Sequence, residues 1–119
     1  MSVIEDDILV VQTHSMWPMY WKGDEVRLVR DAYYDTIPTR GDVVVVNAPE
    51  SWLFRFVLGL PNDIVDLDDR FYPAVLKVNG LVLHNYSRKP YVVGKELFRQ
   101  LFGSLSLRIP DGYFLVLPN

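Results

Sequence analysis

The stretch Leu76-Lys77-Val78-Asn79-Gly80-Leu81-Val82-Leu83 reads as two short strands folded back on each other. Asn and Gly both tolerate the left-handed backbone that a two-residue hairpin turn demands, and the aliphatic residues on either side suit strands. Working outward, the same punctuation recurs. Toward the N-terminus, Leu60-Pro61-Asn62-Asp63 turns into the apolar run Ile64 to Leu67, and Trp52 to Leu60 is apolar except for Arg55. Before that, the valine run Val43 to Val46 lies between Ile37–Asp42 (IPTRGD) and Asn47-Ala48-Pro49, as a central strand between two turns should. Glu25 to Arg30 alternates charged and apolar residues behind Lys22-Gly23-Asp24, and Ile8 to Gln12 is a β-branched run. Toward the C-terminus, only Gly94 to Leu105 has helical spacing, with Leu97, Phe98, Leu101 and Phe102 three and four apart. Ile109-Pro110-Asp111-Gly112 then leads into a last strand from Tyr113 to Leu117. Short strands separated by turn signals predict a mainly β fold, a barrel or a sheet domain with one short helix.

At 119 residues the chain suits one domain, expected to span 1–119, and half of it is hydrophobic, enough for a core. A net charge of -3, without long runs of one sign, gives no basic stripe, so nucleic acid is not an expected partner. The absence of cysteine removes disulfides, thiolate zinc sites and a cysteine nucleophile. His14 and His84 are too few for a metal site unless carboxylates dominate it, so neither metal nor cofactor is expected. The opening MSVIEDDILVVQTHS is acidic and is not a signal peptide. No stretch approaches the roughly 20 apolar residues that cross a bilayer, and the chain taken by itself is expected to be soluble.

Four pieces, in order, resemble the boxes of type I signal peptidases. The first is Thr13-His14-Ser15-Met16-Trp17-Pro18 with Gly23-Asp24 behind it. The second is Arg40-Gly41-Asp42-Val43-Val44-Val45, and the third is Arg55-Phe56-Val57-Leu58-Gly59-Leu60-Pro61-Asn62-Asp63. The fourth is Ile109-Pro110-Asp111-Gly112-Tyr113-Phe114-Leu115-Val116-Leu117, and Leu76 to Gly80 is similar to the family's xVNG hairpin. Each piece alone is a weak signal; their order and spacing together are a strong one. A signal-peptidase-like β domain is what the resemblance implies, with a polypeptide substrate, the signal peptide of exported proteins. It further implies a place at the membrane surface, on the outer face of the cytoplasmic membrane.

The resemblance puts the nucleophile at Ser15. A serine hydroxyl attacks only when a neighbour takes its proton, and in this family that neighbour is an unprotonated lysine. Four residues before Gly59, that lysine's place holds Arg55. The histidine used by the eukaryotic reticulum branch is absent there too. A guanidinium keeps its proton and is no substitute base. Three explanations compete: an engineered lysine-to-arginine knockout, a natural pseudoenzyme, or rescue by another base. His14, His84, Lys77 and Lys89 are the residues weighed for rescue. His14 is discounted because neighbours on an extended strand face opposite ways.

Thr13 matches a position whose hydroxyl, with the backbone N–H of the nucleophile, helps to hold the oxyanion; as a plain β-former it is nearly as well explained. Met16, Pro18, Phe54 and Phe56 are the residues expected at the substrate, with Met16 either lining a pocket floor or filling core. Trp17 and Trp21, near a turn, are the better placed of the aromatics to meet a membrane interface, against core packing for the rest. The fourth box reads Leu-Pro-Asn where Gly-Asp-Asn is usual, and the aspartate, serine and arginine that follow in the family are not found before Asn119, so that box is expected to be truncated or lost. The competing reading is a non-catalytic relative that binds peptides or assembles surface proteins. A self-cleaving repressor-type protease, which shares Ser-Met and Gly-Asp turns, is third; the Gly-Leu-Pro-Asn-Asp and Pro-Asp-Gly-Tyr-Phe stretches favour the signal peptidase branch.

Overall fold

The computed structural model describes residues 8–29, 32–48 and 51–119. Among them the chain is mainly β, as expected, with a single helix and several antiparallel sheets. The contacts divide it into two units, one comprising the described residues up to Val57 together with Val116–Asn119, the other Leu58–Leu115.

In the first unit, β1 (Ile8–Val10) pairs antiparallel with β2 (Glu25–Arg27), Leu9 facing Val26. Beyond this ribbon the chain stays tied: Val11 N–H donates to Asp24 O at 2.8 Å and Gly23 N–H to Val11 O at 2.7 Å. The valine run forms β3 (Val43–Ala48), antiparallel to β4 (Ser51–Gly59), and β10 (Leu115–Leu117) borders β4 on its other side. Val11, Met16, Phe54, Phe56 and Val57 are this unit's buried apolar side chains.

The second unit is a five-stranded sheet in the order β7-β6-β5-β9, with β8 also on β6. Its strands are β5 (Ile64–Asp68), β6 (Ala74–Val78), β7 (Leu81–Val82), β8 (Val92–Val93) and β9 (Ser106–Arg108). The hairpin falls where the Asn-Gly pair put it: Asn79 has φ 52° and Gly80 φ 82°, and Val78 pairs with Leu81. Asn79 does more than turn. Its side-chain oxygen accepts from Ile64 N–H at 2.9 Å, and its amide donates to Asp63 Oδ1 at 3.0 Å, which brackets the hairpin to the start of β5. β8 and β9 were not evident in the sequence, being two or three residues long.

The helix α1 (Lys95–Phe102) is shorter than its apolar spacing suggests. Gly103 stops it in the left-handed conformation, φ 74°, returning its N–H to Arg99 O. The residues after it, read as the tail of the helical stretch, lead instead into β9. Phe98 is buried and meets Phe102 edge-on at 4.8 Å between ring centroids, while Leu97 and Leu101 stay exposed. Burying a side chain of that size stabilises by about 1.5–3 kcal/mol.

Three turns share one construction. Asp24 Oδ2 accepts from Trp21 N–H (2.8 Å), Asp42 Oδ2 from Thr39 N–H (3.0 Å) and Asp63 Oδ2 from Leu60 N–H (2.8 Å). In each, a carboxylate caps the N–H three residues back, and the residue before it, Gly23, Gly41 or Asn62, has φ between 74° and 97°. That is the physical content of the Gly-Asp and Asn-Asp pairs seen in the sequence. The anion suits the site because a backbone donor otherwise left unpaired is costly. Asp42 also accepts from Tyr33 Oη at 2.9 Å and Thr39 Oγ1 at 3.0 Å. The Thr39 backbone bond, then the Tyr33 and Thr39 hydroxyls, hold its carboxyl below the usual range, while partial burial followed by Asp42's pull pushes Tyr33 up.

Candidate active site

All the residues discussed in this section belong to the first unit. Residues 13–20 form a run of bends and turns between β1 and Gly23. Trp17 N–H returns to His14 O at 3.0 Å and Met19 N–H to Met16 O at 2.9 Å. Met16, 1% exposed, is the apolar anchor of this run, and Pro18 is half-buried. The last residue also holds the turn: Asn119 N–H donates to Ser15 O at 2.9 Å and its side-chain amide to Trp17 O at 2.5 Å. The sequence offered no sign of this tie, because its two ends lie 102 residues apart.

The hydroxyl at position 15 meets β4 here. Arg55 lies across from Val44 of β3, on the pleat face that alternation assigns to Leu53 and Val57. Its guanidinium Nη1 donates to Ser15 Oγ at 3.2 Å and to Phe54 O at 2.8 Å. Ser15 Oγ is also 3.0 Å from Thr13 Oγ1. Arginine only donates, so at that contact Ser15 must accept, while between the Ser15 and Thr13 hydroxyls either oxygen can be the donor. The N–H of Ser15 faces the same Thr13 oxygen at 3.4 Å. Forty residues of sequence separate the two ends of the contact, and both are part-buried.

Of the seven residues singled out from the sequence, the structure joins Thr13, Ser15 and Arg55 by hydrogen bonds. Phe54 and Phe56, each 6% exposed, lie on the pleat face opposite Arg55, and Phe54 packs edge-on to Tyr20 with centroids 6.2 Å apart. They fill core, and only the Phe54 carbonyl touches Arg55. His14 is exposed and makes no hydrogen bond to Ser15. Strand alternation is not what sets His14 apart, because residues 13–20 are turns. Among the described residues the partners of Ser15 Oγ are Thr13 and Arg55 alone. No group of His, Cys, Asp or Glu among them could hold a metal ion. Trp17 and Trp21, 48% and 57% exposed, stack edge-on at 5.9 Å beside the half-exposed Met19. No described helix is long and apolar enough to cross a membrane.

A mainly β chain that brings a turn serine against a basic side chain on an apolar strand has the layout of a serine peptidase working with a basic partner. A comparison with protein families narrows this. The model of the family described as signal peptidase, peptidase S26, matches residues 3–119, and the chain belongs to that family. No individually curated protein matches it. The family is one of serine peptidases acting on polypeptides and is membrane-associated.

Proposed function

We propose that this chain is the catalytic-fold domain of a signal-peptide-removing serine endopeptidase for exported proteins, with Ser15 in the nucleophile's place and Arg55 in that of the general base. The observation that carries this reading is the 3.2 Å contact between Arg55 Nη1 and Ser15 Oγ. The substrate lies extended, as an added strand, with its scissile carbonyl at Ser15 Oγ. Thr13 supports the oxyanion together with the Ser15 N–H. Pro18 shapes the approach and Met16 anchors the serine turn, while Phe54 and Phe56 pack the opposite face of the strand that carries Arg55. The exposed Trp17, Met19 and Trp21 favour work at a membrane surface, on the outer face of the cytoplasmic membrane.

With Arg55 in place the reaction lacks its first proton transfer. The guanidinium approaches as a donor, and no lysine or histidine among the described residues bonds to Ser15. General bases contribute roughly 10²–10⁴ in rate. Arg55→Lys is therefore expected to raise cleavage of a signal-peptide substrate by about 10²-fold or more, and adding Ser15→Ala to abolish the gain. The assay is mass-spectrometric detection of the two product peptides. A lysine variant as slow as the arginine form would tell against the proposed roles.

The same contact favours a second reading, a non-catalytic peptide-binding or surface-protein assembly factor. A donor-only cation beside a hydroxyl is built to hold an acceptor. That reading expects peptide binding to survive Ser15→Ala, without acylation of the serine.

A further inference from the structure

Among the described residues Arg55 is a part-buried charge without a counter-ion. No Asp or Glu among them pairs with it, and its hydrogen bonds go to a hydroxyl and a backbone carbonyl, both neutral. A guanidinium withdrawn from water in this way gains most from an anion with two oxygens, which it can grip bidentately. Its planar fork has five N–H donors, and both bonds described involve Nη1, so Nη2 and Nε remain for a ligand. Beside it stand the Ser15 and Thr13 hydroxyls, 3.0 Å apart, either of which can turn its proton outward.

We infer that this site binds the C-terminal carboxylate of a polypeptide. The two carboxylate oxygens would take Nη2 and Nε of the Arg55 fork, and the Ser15 hydroxyl would donate to one of them. The inference rests on the reading that a peptide strand is received at Ser15, and it deepens that reading. Where a substrate's scissile carbonyl would lie, the acyl half of a cleaved chain presents a carboxylate, which arginine favours and lysine in its neutral form would not. The protein as it stands is a receptor for peptide ends that have already been cut. The chemical class is a polypeptide segment with a free carboxyl terminus.

The test uses the unmodified chain and two synthetic decapeptides of one apolar sequence ending in Ala-Gln-Ala, one a free acid and the other a C-terminal amide. Binding is measured by calorimetry or fluorescence anisotropy. The free acid is expected to bind about 10- to 100-fold more tightly than the amide, the discrimination a charge-assisted hydrogen bond supplies. Arg55→Gln is expected to reduce that ratio to about one, and Ser15→Ala, which removes a neutral donor to the same carboxylate, to lower it by less. Equal binding of acid and amide by the unmodified chain would overturn the carboxylate site while leaving a peptide site standing. If neither peptide binds, both the inference and the peptide-site reading beneath it fail. The acid-to-amide ratio needs no variant, so a misfolded mutant does not obscure the answer.

Discussion

The turn that carries Asp63 and the turn that carries Ser15 are made by different rules. Around Asp63 nearly everything is local or cross-strand pairing. The carboxylate caps Leu60 N–H and accepts from Asn79, Asn62 N–H goes to Ile109 O, and Ile109 N–H returns to Asp63 O. Asp63 is only 7% exposed, so these bonds are shielded from water and each donor would be expensive to strand. Around Ser15 the polar groups are partly open to solvent, and they come from residues 13, 55 and 119, three remote stretches of chain. One turn is over-determined and rigidifies a sheet. The other is held by a few bonds from afar, with a donor-only cation at its centre. The first turn serves the sheet, and the second carries the residues proposed for the chemistry.

The largest effect on folding should follow from breaking the buried turn. Asp63→Ala strands Leu60 N–H and the Asn79 amide and is expected to cost about 2–4 kcal/mol in urea denaturation. Asp24→Ala, which removes a cap on exposed backbone, should cost about 0.5–1.5 kcal/mol. Equal losses would erase the contrast between the two kinds of turn. Gly59→Ala is next. A Cβ there would lie 2.6 Å from Ile109 Cδ1 and 2.8 Å from Leu115 Cβ, neither the free end of a long chain. Overpacking of that kind typically costs about 1–3 kcal/mol, read from the same denaturation curves.

A smaller and pH-dependent effect belongs to Asp68. Arg70 grips it through Nε at 2.9 Å and Nη2 at 2.6 Å, and its backbone N–H adds a third bond. The side-chain bonds, ahead of every other influence, hold the Asp68 carboxyl down at about 2. A carboxyl lowered on folding contributes stability that is complete above its unfolded value, near 3.9, and is lost as the pH falls through the folded one. Melting temperature should therefore drop between about pH 4 and pH 2 by more in the unmodified chain than in Asp68→Asn. Parallel curves would remove this pair from the second unit's account. Since Arg70 is 80% exposed, solvent screening keeps the effect modest.

The legible part of the sequence was its local part. Asn79-Gly80 and the Gly-Asp pairs announced their turns because left-handed backbone restricts residue choice, and the valine run of β3 announced a central strand. Position 55 was legible as an anomaly, one charged side chain in an apolar strand. Its neighbours were harder to place. Phe54 and Phe56 adjoin Arg55 in sequence, but a strand turns adjacent side chains to opposite faces, so nearness along the chain misled about nearness in space. Asn119 and the strands β8 and β9 were invisible for a related reason: two or three residues carry no period, and their pairing is decided by partners far along the chain.

The central claim is that Ser15 has lost its activator to Arg55, and acylation of the serine probes it most directly. The unmodified chain and Arg55→Lys would each be treated with a β-lactam-type acylating inhibitor, digested, and searched by mass spectrometry for the modified residue. A Ser15 adduct should form readily in the lysine variant and be absent or far slower in the arginine form. Equal labelling of Ser15 in both, or an adduct on a different residue of the lysine variant, would contradict the claim.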